Sequence, residues 1–151
     1  MKAFLKKILI GILLLFVVAQ FFRPEKNVGS MESLKAFVEE TKPSIEVQNI
    51  LSKACYDCHS NNTNYLWYSN FTPVNYWMAD HIVEGKEELN FSEWSSYSTK
   101  RKKHKMEEVY EEVEKKHMPI SPYLITHSEA NLTDEEIKLI VDWAKEQHNN
   151  Y

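Results

Sequence analysis

The chain opens with an apolar run that has no period. From Ile8 to Phe22 the residues read ILIGILLLFVVAQFF, apolar except for Gln20, behind a short basic start carrying Lys2, Lys6 and Lys7. Such a run reads as a targeting or anchoring segment rather than as part of a globular core. Counted from Ala3, with Lys6 and Lys7 snorkelling, it reaches about the 20 residues a helix needs to cross a bilayer. It ends Ala19-Gln20-Phe21-Phe22-Arg23-Pro24, a poor match to a small-residue cleavage pattern. Residues 1–23 are therefore expected to form an N-terminal membrane anchor, with a cleaved signal sequence as the alternative. A transmembrane helix with its lysines in the cytoplasm would fix the chain in a bacterial cytoplasmic membrane, its C-terminal domain in the periplasm.

Beyond this run the pattern becomes helical. Residues 24–43 read as a polar tether and a short helix, Glu32 to Glu40, stopped by Thr41-Lys42-Pro43. In Ser44 to Ala54 the apolar positions Val47, Ile50, Leu51 and Ala54 follow the i, i+3, i+4, i+7 spacing of a one-sided helix. Ser60 to Phe71 has no helical period. Thr72-Pro73 reads as an N-cap followed by proline at the first helical position. The helix from Pro73 carries Val74, Trp77, Met78, His81 and Ile82 on one face, with Gly85 as its stop. Asn90 to Trp94 predicts a turn with a short helix. Thr99 to Lys116 predicts a long charged helix with Met106, Val109, Tyr110 and Val113 as its apolar stripe. His117-Met118-Pro119 breaks it. Thr133 and Glu136 form a capping box for a last helix bearing Ile137, Ile140, Val141 and Ala144, widened by Leu139 and Trp143. The domain, residues 44–151, is expected to be all-α with two long loops, Ser60 to Phe71 and Pro119 to Leu132. Loops of that length are often functional.

Both cysteines of the chain lie in one short stretch, Ala54-Cys55-Tyr56-Asp57-Cys58-His59-Ser60. Cys-x-x-Cys-His is the attachment signature of c-type haem. Two thiols three residues apart on one helical turn reach the same porphyrin edge and add across its two vinyl groups as thioethers. His59 then lies under the iron as proximal ligand. Three rivals compete. A thioredoxin-like dithiol needs a βαβ context, which this sequence lacks. A structural zinc needs four ligands, and only two thiols exist. A simple disulfide would close a very small loop and contribute little.

Charge narrows the partners. Residues 24–151 hold 14 basic and 22 acidic residues, a net charge of −8, which argues against nucleic acid. A redox protein partner, basic if it is chosen by charge, fits better. Three glycines in the whole chain leave no phosphate-binding loop.

A six-coordinate haem needs a distal ligand. Met118 is the candidate, because Pro119 takes its backbone out of the helix and a thioether there can reach across a haem face. His117 is the direct alternative and His127 a weaker one. His81 reads as a partly buried histidine, His104 and His148 as exposed ones. Met78 and Met106 read as core or pocket wall. Tyr65, Trp67, Tyr68 and Trp77 are candidates to line the pocket or bond the propionates.

With these elements in place the chain resembles class I cytochromes c. The resemblance rests on a helix ending in Cys55-Tyr-Asp-Cys58-His59, on Met118-Pro119, and on the closing helix Asp134 to Ala144. It implies that the first and last helices of the domain cross, with Trp143 near the contact. More closely, the run from Ala54 to Trp94 resembles the bacterial haem-binding domain family, small exported or anchored proteins with one C-x-x-C-H. The expected cofactor is one covalent haem c, and the expected function is electron transfer. Two alternatives stand beside it: a five-coordinate haem sensor or peroxidase-like enzyme, and a thiol oxidoreductase using Cys55 and Cys58 without haem.

Overall fold

The computed structural model describes residues 1–151 and contains eight α-helices and no strand. They are α1 (Lys2–Ala19), α2 (Lys35–Thr41), α3 (Ile45–Ala54), α4 (Tyr56–His59), α5 (Val74–Glu88), α6 (Thr99–Glu114), α7 (Ser121–Leu124) and α8 (Asp134–Asn150). Single 3-10 turns at Met31–Leu34, Trp67–Asn70, Phe91–Ser96 and Ser128–Ala130 fill the connections. The helix starts follow their caps. Ser44 Oγ accepts from the Val47 amide and Ser98 Oγ from the Arg101 amide, and the capping box of Thr133 and Glu136 is complete.

The transmembrane helix expected in residues 1–23 is overturned: no helix is long and apolar enough to cross a membrane. The reason lies in the first two turns. Lys2, Lys6 and Lys7 are part of α1 itself, so its uninterrupted apolar part is only Ile8–Ala19. At about 1.5 Å per residue that covers roughly 18 Å of a hydrocarbon core about 30 Å thick. The location that followed from that anchor, a cytoplasmic membrane with the domain in the periplasm, falls with it. At the end of α1, Gln20 holds the chain to the start of α5, exchanging hydrogen bonds with the backbone of Thr72 at 3.0 and 3.1 Å.

Residues 24–43 pack onto the rest of the chain. Asn27 bonds Ser60 O and Thr63 Oγ1 through Nδ2, both at 2.9 Å, and its amide donates to Tyr65 Oη at 2.8 Å. Gly29 donates to Asn61 O at 2.7 Å, an approach that leaves a Cβ only 2.4 Å from that oxygen. The segment thus straps down the loop that follows the cysteine motif. Phe37 of α2 is fully buried among Phe91, Trp94 and Trp143.

The core joins α2, α3, the Phe91–Ser96 turn, α6 and α8. Met106 lies wholly inside it. The cytochrome-like expectation placed the main helix crossing between α3 and α8. Here α8 packs chiefly along α6 and meets α3 more narrowly. The apolar stripes explain this: Met106 and Val113 of α6 face Ile140, Val141 and Ala144 of α8 as two long matched seams. Trp143 is buried against Phe37, while Leu139 is exposed.

Gly85 was expected to stop its helix, yet α5 continues to Glu88. Its role is close approach. A Cβ there would meet the Cys58 carbonyl oxygen at 2.9 Å and Cys58 Cβ at 3.2 Å. Gly85→Val is expected to push α5 off α4, lowering stability by about 1–3 kcal/mol. Denaturant unfolding of the purified variant measures this; an unchanged midpoint would contradict the packing account.

Candidate functional site

The motif sits where α3 passes into α4. The Cys58 and His59 amides both donate to the Cys55 carbonyl, at 3.2 and 2.9 Å, which makes one tight turn of the five residues. Cys55 and Cys58 are free thiols, each half-buried. Burial, reinforced by Cys58, pushes the Cys55 thiol up to about 12. Burial, reinforced by Asp57, pushes Cys58 up to about 11. Both are therefore thiols, not thiolates, at neutral pH.

His59 is held from the helix above it. Its Nδ1 lies 2.8 Å from Gly85 O and 3.0 Å from Leu89 O. Two carbonyls can only accept, so Nδ1 carries the proton and Nε2 is a bare lone pair. Backbone carbonyls on the second nitrogen fix tautomer and ring orientation in metal-ligating histidines generally. The absent side chain of Gly85 lets α5 come close enough to supply them. Burial holds His59 below the ordinary imidazole value of 6.5, outweighing both carbonyls. The unfolded chain therefore binds this proton more readily than the folded one. Stability from His59 is complete above pH 6.5 and is lost as pH falls through the folded value, at no more than about 1.4 kcal/mol per pH unit. Denaturant midpoints of haem-free protein are expected to fall in this window, with a shallower fall in His59→Gln.

Two adjoining hollows open beside the motif, about 380 and 320 Å³ in volume. They share Ala54, His59, Glu88 and Met118 as walls. Cys58 lines the first and Cys55 the second, and His59 and Met118 line both, so the two thiols face hollows on either side of the same shared wall. Cofactor cavities are typically about 300–1,000 Å³. Leu89, Phe91, Val109 and Val113 give the second hollow apolar walls, and Ile120 and Tyr123 close the first. No lysine or arginine lines either one; Glu84, Glu87, Glu88, Glu108 and Glu112 do. Lys105, buried beside them, pairs with Glu108 at 2.6 Å and Glu88 at 3.7 Å and so ties α6 to α5.

Met118 reaches the cavity because of how α6 ends. Lys116 takes a left-handed conformation, φ 57°, and the His117 and Met118 amides both donate to Glu112 O. His117 turns outward instead, 63% exposed and paired with Glu112 at 3.1 Å. His104 is exposed beside Glu107 and Glu108. Buried His127 has both nitrogens engaged. His81 does line the first hollow, with Nδ1 donating to Trp77 O at 2.9 Å.

The aromatic candidates divide. Tyr65 is not brought to the cavity: it is bonded to Asn27, with Lys26 over its ring. Trp67 is 75% exposed and also lies outside it. For Tyr65 the reason is the strap of residues 24–29, which engages its hydroxyl and ring; Trp67 packs instead against its loop neighbours Tyr68 and Phe71. Trp77 packs against His81 at a tilt, ring centroids 4.3 Å apart and planes at 46°, and lines a smaller neighbouring hollow. Tyr123 escaped the sequence reading. It donates to Asp57 Oδ2 at 3.0 Å and so fastens the segment after Met118 to the motif.

A family model described as a haem-binding domain matches residues 14–146, most of the chain. The match begins inside α1 and includes the strap. No curated protein matches, and no solved structure does.

Proposed function

We propose, since this chain belongs to the haem-binding domain family, that its haem is single and covalent, held by thioethers from Cys55 and Cys58, and that it serves as a one-electron carrier. His59 is the proximal ligand in this reading and Met118 the distal one. One observation carries it: the proton of His59 is fixed on Nδ1 by Gly85 and Leu89, which leaves Nε2 bare on a residue that, with Met118, lines both the hollow of Cys58 and the hollow of Cys55.

The donor set suits the group. Two cysteines free of any disulfide can each form a thioether by addition across a vinyl group, while an imidazole and a thioether are ordinary axial ligands. The haem supplies an iron couple that gains and loses one electron. The protein's part is to hold the imidazole in one tautomer, keep water from the apolar half through Phe91, Val109 and Val113, and fix Met118 through Glu112 and Tyr123. Nothing in such a carrier requires a substrate site. The ring of glutamates around the cavity favours a redox partner with a basic docking face.

The thiol oxidoreductase loses support on the same residues. A reactive cysteine needs a lowered pKa, and both thiols here are pushed the other way.

The test is a potentiometric titration of haem-loaded protein followed in the visible. A single one-electron transition with low-spin spectra in both states is expected. A high-spin spectrum that binds carbon monoxide would instead support the five-coordinate sensor or enzyme.

A further inference from the structure

The hollows beside the motif are walled by carboxylates, yet a cation is buried directly behind two of them. Lys105, on α6, has a side chain only 10% exposed. Its Nζ donates to Glu108 Oε2 at 2.6 Å and stands 3.7 Å from Glu88 Oε2. Glu108 lines the second hollow, and Glu88 lines both. Glu88 also precedes Leu89, whose carbonyl holds the His59 ring. Lys115, the other lysine that reaches a wall glutamate, lies 3.9 Å from Glu112 and is half-exposed.

Stability does not account for that placement. Stripping an ammonium of its water is costly, and an apolar side chain of similar volume usually serves a fold as well or better. The Glu88 and Glu108 side chains are 78% and 39% exposed, so neither needs a buried partner to stay solvated. What a buried charge does in such a place is act at a distance, because its surroundings screen it weakly. Burial dominates the proton affinity of His59; behind it and the two carbonyls, Glu88 raises that affinity and Lys105 lowers it. Both charges therefore act on the ring assigned to the iron.

We propose that Lys105 sets the reduction potential of the haem, its buried positive charge favouring the ferrous state against the glutamates that wall the hollows. The inference rests on the haem reading above. Loss of one electron leaves one more positive charge on the iron, which Lys105 repels and Glu88 and Glu108 attract. The pairing across α5 and α6 is thus two opposed influences on one centre, in addition to a brace between two helices.

The experiment is a potentiometric titration of haem-loaded full-length protein changed at either end of the pair. Lys105→Met removes the positive charge and keeps an apolar stem. The ferrous-to-ferric ratio at a fixed potential is expected to fall on the order of tenfold, which for one electron is a midpoint lower by about 59 mV. Lys105→Arg keeps the charge and is expected to keep the wild-type midpoint. Glu108→Gln removes a negative charge, so the same ratio is expected to rise severalfold. The opposite signs separate charge from bracing: if the pair only held α5 to α6, breaking it from either end would move the midpoint in the same direction. Shifts of one sign in Lys105→Met and Glu108→Gln, or an unmoved midpoint in either, would overturn the assignment. Denaturant unfolding of the haem-free variants reports the fold separately. If Lys105→Met does not fold, the rise in Glu108→Gln and the constancy of Lys105→Arg still carry the test, and failure of either overturns it. Haem retained at an unmoved potential defeats this proposal alone, and protein that takes up no haem defeats both.

Discussion

His59→Ala is expected to leave the protein with less than about a tenth of the wild-type haem after purification. The expectation follows from the way the side chain is built in. Its Nδ1 proton is committed to two carbonyls of α5, and burial keeps the ring neutral, so Nε2 is available to a metal without first losing a proton. Loss of a partner that merely orients a metal-bound histidine costs about 10- to 100-fold in affinity, and loss of the ligand costs more. Haem content by absorbance, per mole of protein, measures the effect. His81→Ala is the control: His81 lines the same hollow, with its Nδ1 on Trp77 O, and its loss is expected to leave haem content near that of wild type. A His81 variant that loses haem while the His59 variant keeps it would reverse the proximal assignment.

Met118→Ala has the next largest expected effect, on spin state and potential rather than on haem content. Met/His ligation raises a reduction potential, so losing the thioether lowers it. Axial ligands span haem potentials over about 0.8 V, and a fall on the order of 0.1 V is expected. The variant should turn high-spin and bind carbon monoxide, while His117→Ala changes neither, because His117 points to Glu112 and solvent. Low-spin spectra unchanged in Met118→Ala and lost in His117→Ala would move the ligand to the neighbouring residue.

These two residues also show what the sequence made legible. The cysteine motif is local: five consecutive residues form one turn, so spacing alone brings Cys55, Cys58 and His59 together. The helix pattern was similarly local, and the capping box of Thr133 and Glu136 is present as read. The choice between His117 and Met118 was harder, since it depends on the left-handed turn at Lys116 that carries the chain out of α6. The pocket aromatics were not legible. A Trp- and Tyr-rich loop after the motif suggested a haem wall, but the strap holds Tyr65 through Asn27, and Trp67 packs on Tyr68 and Phe71 at the surface. The walls come instead from Val109 and Val113, which had been read simply as a helix stripe, and from Tyr123 far along the chain. Gly85 looked like punctuation because glycine usually is. Its actual contribution, contact with the Cys58 backbone, depends on how two helices pack. The N-terminal run misled for a different reason: counting lysines as able to snorkel stretched twelve apolar residues into an apparent span.

The central claim, one haem fixed covalently by Cys55 and Cys58, is tested most directly by the intact mass of the denatured protein after expression with cytochrome c maturation machinery. The account predicts a mass greater than the polypeptide's by one haem, with the increment absent in a Cys55→Ala, Cys58→Ala double variant. A polypeptide at its bare mass, with haem freely extracted into acidic organic solvent, would contradict it.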